Sequence, residues 1–190
     1  MNILLVGVGG QGIILASDIL AQAAVLHGFD TKKSEVHGMS QRGGSVFSHI
    51  RYGDNVYSPV IPHGQADILI SLEEMETLRW LDYTNPNTLI LYSKTRILPA
   101  NTDSYPEGIE KAITNAFSNI IVLDPKEIQP KITHPKCFNI FLLGLLAHFA
   151  KIPVQTFKQA ITLGVPKGTL QQNLNAFDMG YSHLQSTIRR

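Results

Sequence analysis

The chain has 190 residues, of which 44% are hydrophobic and 16% are charged, and its formal net charge is +1. That length fits a single domain over residues 1–190 with a full hydrophobic core. A net charge so near zero gives no electrostatic reason to expect nucleic acid or an anionic membrane as a partner. The longest apolar run, residues 140–150, is too short to cross a bilayer, and we expect no cleavable leader, since the first strand is predicted from residue 2. We therefore expect a cytoplasmic protein.

A strand, a glycine-rich loop and a helix are predicted at the start of the chain. Ile3–Val6 is an unbroken apolar run, typical of a strand buried on both faces of a parallel sheet. Gly7, Gly9 and Gly12 fit the G-x-G-x-x-G spacing, and an amphipathic helix over residues 11–26 follows. The pattern predicts a Rossmann-like fold whose helix N-terminus offers free N–H groups to a phosphate. The alternative is that the glycines serve only the sharp turn from strand to helix.

A dinucleotide site needs an acid that this sequence does not place correctly. The fingerprint puts a carboxylate about 20 residues beyond the glycines, at the end of the second strand, where it binds ribose hydroxyls. The second strand is predicted near residues 29–33, so Asp30 comes early and Glu35 comes late, while Lys32 and Lys33 occupy the tip. We therefore expect no tightly bound NAD or FAD.

A second glycine-rich loop follows this strand, between residues 34 and 45. It contains Gln41, Arg42, Gly43 and Gly44. A guanidinium beside unhindered backbone N–H groups favours a contact with an anionic ligand or with another subunit. The alternative is a structural loop whose arginine pairs with a nearby carboxylate.

The rest of the chain predicts a β-hairpin, then alternating strands and helices, then a helical C-terminal third. The hairpin joins residues 46–51 to 56–58 through the turn at Gly53. Further strands are predicted at 66–71, 88–92 and 120–123, and helices at 73–81, 107–117, 137–151, 153–163 and from about 168, the last broken near Gly180. The predicted fold class is α/β: a Rossmann-like, mostly parallel sheet with flanking helices, a hairpin insertion and a helical C-terminal third.

Cysteine, histidine and acidic residues give no sign of a metal or catalytic centre. Cys137 is the single cysteine, and we expect a buried, inert thiol at the start of an apolar helix. One thiolate cannot hold an iron–sulfur cluster, and the seven histidines form no ligand pair. The acids Glu73, Glu74 and Glu76 are interpreted as a solvated helix start that favours the helix dipole, rather than as paired catalytic carboxylates.

The two glycine-rich loops together resemble a known family. Gly7-Val-Gly-Gly-Gln-Gly-Ile13 and Glu35-Val-His-Gly-Met-Ser-Gln-Arg-Gly-Gly-Ser45 are similar to the gamma-type subunits of the 2-oxoacid:ferredoxin oxidoreductases, and among them most to the beta subunits of the indolepyruvate enzymes. Further similarity lies at 56–61, 66–71, 73–79 and 139–144, so the resemblance runs from residue 2 to about 180. Residues 93–136 carry no matching motif.

The resemblance implies the accessory subunit of an enzyme that oxidatively decarboxylates an aryl pyruvate, such as indolepyruvate, to its acyl-CoA. It implies that thiamine diphosphate, magnesium and the iron–sulfur clusters lie on a large catalytic partner subunit, and that ferredoxin is met through that complex. This chain would then be inactive alone.

The resemblance also implies which residues are candidates for a contact with coenzyme A at the surface of this chain. They are Gly7, Gly9, Gly10, Gln11, Gly12, Gln41, Arg42, Gly43 and Gly44. No catalytic or metal-binding residue is expected. The alternatives are a free-standing NAD(P)- or flavin-binding Rossmann protein and a non-catalytic binding module.

Overall fold

A six-stranded sheet forms the centre of the computed structural model, which describes residues 1–37, 44–99 and 102–188. Its strands are β1 Asn2–Val8, β2 Asp30–His37, β3 Ser45–Gly53, β4 Ile68–Ser71, β5 Leu89–Ser93 and β6 Ile120–Leu123. Their spatial order is β2-β3-β1-β4-β5-β6. The α/β class predicted from the sequence is confirmed.

Of these strands, β3 alone runs against the others. The pairs β1–β4, β4–β5 and β5–β6 are parallel, whereas β3 is antiparallel to both of its neighbours, β1 and β2. Five strands therefore end at the same edge of the sheet, which we call the carboxyl edge. The loops that follow β1, β4, β5 and β6 all lie there.

The predicted hairpin between residues 46–51 and 56–58 is absent, because only its first strand forms. Residues 46–51 do lie in a strand, β3, which pairs along its length with β2 from Asp30 opposite Gly53 to His37 opposite Val46. Residues 56–58 form no strand. The Asp30 carboxylate instead accepts the Val56 N–H at 2.8 Å, so that segment is fastened to the start of β2 by a side chain. The second strand is accordingly longer than the predicted 29–33.

Helices cover both faces of the sheet. They are α1 Ile13–Leu26, α2 Glu74–Arg79, α3 Ile109–Ala116, α4 Pro125–Ile128, α5 Phe138–Leu146, α6 Val154–Gly164 and α7 Leu170–Ile188, with short 3₁₀ turns at Leu81–Tyr83, Gln129–Lys131 and Pro135–Cys137. Side chains alternate along β1, so that Ile3 and Leu5 face the cluster formed with α1, α5, α6 and α7, while Leu4 and Val6 face α3. Among the described residues, no helix combines the length and apolarity needed to cross a membrane.

Two glycines let α5 and α7 pack backbone against backbone. A Cβ atom on Gly144 would lie 2.1 Å from the Phe177 carbonyl oxygen, and one on Gly180 would lie 2.0 Å from that of Phe141. The helix break expected near Gly180 was therefore wrong, because this glycine serves a close helix crossing inside an unbroken α7. The predicted helix over 137–151 is also shorter, since its last residues form turns that end at Lys151 with a φ of +56°.

Candidate functional site

The two glycine-rich loops meet at the carboxyl edge. Val8, the last residue of β1, pairs with Ser45 at the start of β3. One step further, the Gly9 N–H donates a hydrogen bond of 2.9 Å to the Gly44 carbonyl oxygen. The structure thus brings together loops that the sequence shows about 30 residues apart. Of the second loop's candidates, Gln41, Arg42 and Gly43 lie outside the described residues.

Packing accounts for two of the four glycines in the first loop. A Cβ atom on Gly7 would lie 2.7 Å from both Gln11 Oε1 and Ile13 Cδ1, and one on Gly12 would lie 2.5 Å from Asn139 Nδ2. Gly12 also has a φ of +77°, in the left-handed region that favours glycine. Gly10 has a φ of +100° and nothing within 4 Å of its Cβ position, so it faces open space.

The Gln11 side chain fastens the loop to the neighbouring strand connection. Its Oε1 atom accepts the Val8 N–H at 2.8 Å, and its Nε2 atom donates to the Leu72 carbonyl oxygen at 2.7 Å. Leu72 directly follows β4, so one amide bridges the ends of two parallel strands. Because of this turned-back side chain and the Gly12 conformation, α1 begins at residue 13 rather than at 11 as predicted. Gln11 thus positions the loop, and both ends of its amide are already engaged.

The N-terminus of α1 has features that favour an anion. No side chain from the described residues caps it, and its first turn contains no acidic residue. Free first-turn N–H groups and the helix dipole together stabilise negative charge at this position. Asn139 holds the site from the other side, since its Nδ2 atom donates to the Gly12 carbonyl oxygen at 3.0 Å.

Two cavities open beside this helix end. One, of about 230 Å³, is lined by Gly10, Gln11, Leu72, Thr95, Gln129, Pro135, Lys136, Phe138 and Asn139. The other, of about 460 Å³, is lined by Lys94, Thr95, Arg96, Asp124, Pro125, Lys126 and Gln129. They share Thr95 and Gln129. Lys94 directly follows β5, and Lys126 follows β6 by three residues. The sequence offers no candidate site residue between residues 93 and 136, yet this range supplies most of the wall of the two cavities.

Sequence reasoning missed Asn139 and Lys136 as parts of this site. A polar residue inside the apolar run 138–146 was the available signal for Asn139. No signal marked Lys136, because a lone lysine before an apolar helix is common on protein surfaces.

The three glutamates at the start of α2 are buried, which overturns the prediction of a solvated helix start. Glu73 and Glu74 are 0% exposed, and Glu76 is 3% exposed. The Glu73 carboxylate caps α2 by accepting the Glu76 N–H at 2.9 Å, and it accepts the Tyr105 hydroxyl at 2.6 Å. Glu76 accepts the Ser45 hydroxyl at 2.5 Å, which connects α2 to the residue after Gly44.

Glu74 binds a cation at the rim of the larger carboxyl-edge cavity. Its Oε2 atom accepts from Arg96 Nε at 2.5 Å, and the Arg96 guanidinium lies 5.3 Å from the centre of the Tyr105 ring. Glu74 Oε1 and the Tyr92 hydroxyl are buried without a hydrogen-bond partner in the described part of the chain. Burial first, and then the nearby Glu110 and Glu74 carboxylates, together raise the pKa of Tyr92 to about 12.

The order of the strands moves the expected ribose acid away from the glycine loop. In a dinucleotide-binding domain the second strand lies next to the first, but here β3 lies between β1 and β2. The end of β2 is therefore about 10 Å from β1, two strand spacings away. There, Glu35 pairs with Lys33 at 2.5 Å.

Cys137 is buried, as expected from the sequence. Its surroundings raise the pKa of the thiol by desolvation, which keeps it protonated and unreactive at neutral pH. Within residues 1–37, 44–99 and 102–188, no three His, Cys, Asp or Glu side chains cluster closely enough to hold a metal ion.

Comparison with known proteins places the chain in a family. The family model described as pyruvate ferredoxin/flavodoxin oxidoreductase matches residues 2–183. The chain is 37% identical to indolepyruvate oxidoreductase subunit IorB of Archaeoglobus fulgidus, over 96% of this chain and 94% of that protein.

Solved structures share the fold. The gamma subunit of a keto/oxoacid ferredoxin oxidoreductase from Geobacter sulfurreducens aligns with a TM-score of 0.71 at 22% identity, over 97% of this chain and 98% of its own. A 2-oxoglutarate:ferredoxin oxidoreductase from Magnetococcus marinus, solved with 2-oxoglutarate, coenzyme A and succinyl-CoA bound, aligns with a TM-score of 0.74 at 19% identity. This chain matches 31% of that longer one and is itself 98% covered. The chain belongs to the pyruvate ferredoxin/flavodoxin oxidoreductase family.

Proposed function

We propose that this chain is the accessory subunit of a ferredoxin-dependent 2-oxoacid oxidoreductase of the indolepyruvate type. The observation that carries the proposal is the match with IorB, which extends over nearly the full length of both chains. A match of that extent aligns a whole small subunit rather than a shared nucleotide-binding element. The overall reaction is the oxidative decarboxylation of an aryl pyruvate to its acyl-CoA, with two electrons passed to ferredoxin.

The assignment of cofactors to the two subunits rests on the cysteine content of this chain. Thiamine diphosphate, when bound, supplies the ylid that attacks the 2-oxo carbon, and iron–sulfur clusters carry the electrons away. We assign these groups and magnesium to the large catalytic partner subunit, because a single buried cysteine cannot ligate a cluster that needs about four thiolates. On this proposal the isolated chain binds no cofactor tightly, turns over no substrate and lies in the cytoplasm, where it has neither nucleic acid nor a membrane as a partner.

The carboxyl edge is the candidate for a contact with coenzyme A. Three features suit a phosphate-bearing ligand: the open space at Gly10, the N-terminus of α1, and Lys126 and Lys136 in the two adjoining cavities. Lys94 and Arg96 also line the larger cavity, but they are paired with Glu110 and Glu74. The sequence candidates Gln41, Arg42 and Gly43 would add a guanidinium from the neighbouring loop. Coenzyme A is the ligand to test, since the Magnetococcus marinus relative was solved with it bound. Gly7, Gly12 and Gln11 would act by shaping the loop.

A free-standing NAD(P)- or flavin-binding protein is the rival function. It would need an acid beside the glycine loop, and β3 occupies the position from which that acid normally comes. The purified chain should therefore be colourless and release no stoichiometric flavin or nicotinamide when heated. A visible flavin band in the purified protein would favour the rival.

Reconstitution tests the proposal directly. The chain and its large partner subunit are purified separately, and reduction of a viologen dye by indolepyruvate is followed with coenzyme A present. We expect turnover only when both are mixed, and a stable complex on gel filtration. Turnover by this chain alone at a comparable rate, or full activity of the partner without it, would refute the accessory-subunit assignment. Phenylpyruvate and 2-oxoglutarate, assayed side by side, test the aryl preference.

A further inference from the structure

A cavity of about 640 Å³ lies at the edge of the sheet opposite the glycine loops. We call it the amino-edge cavity. It is bounded by the start of β1, by the residues that lead into β4 and β5, by the end of β3 and by the turns after α5. Its volume falls within the range of about 300–1,000 Å³ that is usual for small-molecule sites. None of the candidate residues of the carboxyl edge contributes to it.

The inner wall of the amino-edge cavity is aromatic and apolar. Phe29 stacks on Tyr52, with ring centres 5.4 Å apart and planes 29° apart. The Tyr52 hydroxyl donates to the Ala150 carbonyl oxygen at 2.7 Å, which fixes the ring against the turns after α5. Phe149, only partly buried, adds a further ring. Such a wall suits a flat or bulky apolar group.

The rim carries polar groups with unused bonding capacity. The side chains of Asp54, Asn87, Asn119 and Lys151 line the cavity, are exposed, and form no hydrogen bond or ion pair within the described part of the chain. Asp67 uses one carboxylate oxygen, Oδ2, to accept the Asn2 N–H at 2.6 Å, which leaves Oδ1 available. Two carboxylates, two amides and two ammonium groups, the Lys151 side chain and the Met1 N-terminus, thus surround an apolar wall.

Lys151 occupies a backbone conformation that its residue type disfavours. Its φ of +56° makes it the one non-glycine residue with positive φ among those described. Left-handed backbone brings the Cβ atom of an L-residue close to the following carbonyl oxygen, so glycine or asparagine normally occupies it. The end of a helical segment therefore explains the left-handed backbone at residue 151, but it does not explain why this residue is a lysine. Strained residues of this kind cluster at ligand sites.

Opposite charges lie near one another in this cavity, and only one pair of them is joined: Asp67 Oδ2 lies 4.0 Å from the α-ammonium of Met1. Asp67 and Lys151 both act electrostatically on the α-ammonium of Met1, so both lie close to that point. No salt bridge of 4.0 Å or less joins Lys151 to either carboxylate within the described residues. Separated positive and negative groups beside an apolar wall complement a ligand that carries an anionic group, a cationic group and an apolar group.

From this arrangement we infer that the amino-edge cavity binds a free α-amino acid with a large apolar, preferentially aromatic, side chain. Lys151 takes its carboxylate, Asp67 and Asp54 take its ammonium, and Phe29 and Phe149 contact its side chain. The inference does not rest on the accessory-subunit assignment, since it concerns a different edge of the sheet.

Calorimetric titration of the full chain with L-tryptophan, L-phenylalanine and L-leucine tests the inference. Indole-3-propionate, which lacks the ammonium, and tryptamine, which lacks the carboxylate, are the matched ligands. We expect each to bind about ten-fold or more weakly than L-tryptophan, because each loses a charge-assisted contact. Lys151→Asn tolerates the left-handed backbone and removes the ammonium, so it should weaken L-tryptophan about ten-fold. It should leave tryptamine unchanged. Lys167→Asn, at an exposed lysine away from the cavity, is the control.

Three results would overturn the inference. They are no binding of any of the three amino acids at millimolar concentration, equal binding of L-tryptophan and tryptamine, and equal effects of Lys151→Asn and Lys167→Asn. If no amino acid binds and Lys151 becomes protected from acetylation only in the reconstituted complex, the cavity is a subunit contact instead.

Discussion

Ser45 Oγ donates a 2.5 Å hydrogen bond to the buried carboxylate of Glu76. This contact joins the residue after the second glycine-rich loop to the helix that follows β4. The Gly9–Gly44 hydrogen bond joins the same loop to the first one, and Gln11 joins the first loop to Leu72, just before α2. Three elements that are far apart in sequence are therefore held as one unit around the N-terminus of α1.

Glu76→Ala should destabilise the chain by about 2–3 kcal/mol, because the Ser45 hydroxyl and the Trp80 indole N–H both lose their acceptor. For a domain of this size the loss corresponds to roughly 4–12 °C in Tm. Thermal unfolding measures it, and Glu107→Ala, at an exposed acid, is the matched control. Equal Tm values for the two variants would contradict a structural role for the buried carboxylate.

Gln11→Ala should lower the stability of the isolated chain by about 1–3 kcal/mol, since the Val8 N–H and the Leu72 carbonyl lose their partner. Gln22→Ala, on the exposed face of α1, should change it little. Urea unfolding of both variants without ligand makes the comparison. An unchanged midpoint for Gln11→Ala, together with weaker coenzyme A binding by the complex, would show that the side chain meets the ligand instead.

Arg42→Ala in the reconstituted complex should raise the apparent KM for coenzyme A by about ten-fold or more, the loss expected for one charge-assisted hydrogen bond. Reduction of the enzyme by the oxo acid without coenzyme A should stay near the wild-type rate. Arg42→Lys keeps the positive charge but loses the two parallel N–H donors of the guanidinium. Its apparent KM for coenzyme A should therefore lie between those of the wild type and Arg42→Ala. If the KM stays constant while Tm or subunit affinity drops, the arginine has a structural or interface role.

Gly144→Ala should destabilise the crossing of α5 and α7 by about 1–3 kcal/mol or more, because the added methyl meets backbone rather than a movable side chain. Gly53→Ala is the control: its Cβ would have nothing within 4 Å and its φ is not positive. Urea midpoints compare the two. A Gly144→Ala chain as stable as wild type would mean that the helices do not approach this closely.

Tyr92 should make the chain sensitive to alkaline pH. Its folded pKa of about 12 lies above the unfolded value near 10, so the neutral form is favoured by folding. The unfolded chain releases this proton first as pH rises, and stability therefore falls between pH 10 and 12. At pH 11 the loss from this group is about 1 kcal/mol relative to pH 8.

Tyr92→Phe should remove this contribution to the loss of unfolding free energy at alkaline pH. It should change the unfolding free energy little at pH 8, because the hydroxyl has no hydrogen-bond partner among the described residues. Tyr57→Phe, at a 94% exposed tyrosine, should leave the profile unchanged. The free energy of unfolding measured from pH 8 to 11 gives the result. Parallel profiles for wild type and Tyr92→Phe would show that the ring does not titrate with a raised pKa.

Local pattern was enough to predict the strand–loop–helix unit at the start of the chain and most later elements. Strand β6 was placed at its observed bounds, and α6 within one residue of them. Runs and periodic patterns of apolar residues predict these elements, and glycine or proline marks their ends. Both signals involve only residues that are neighbours in sequence. The two glycine-rich loops carried the family resemblance for the same reason, since each motif is contiguous.

Pairing across the sheet decided the rest. The insertion of β3 between β1 and β2 depends on long-range hydrogen bonds, which no local period encodes, and it moved Glu35 away from the glycine loop. Burial of Glu73, Glu74 and Glu76 follows from the partners that Tyr105, Arg96 and Ser45 bring from distant segments. A buried carboxylate is stable only when other groups donate hydrogen bonds to it. Because those donors come from distant segments, the local sequence around these acids shows only a helix start that looks solvated.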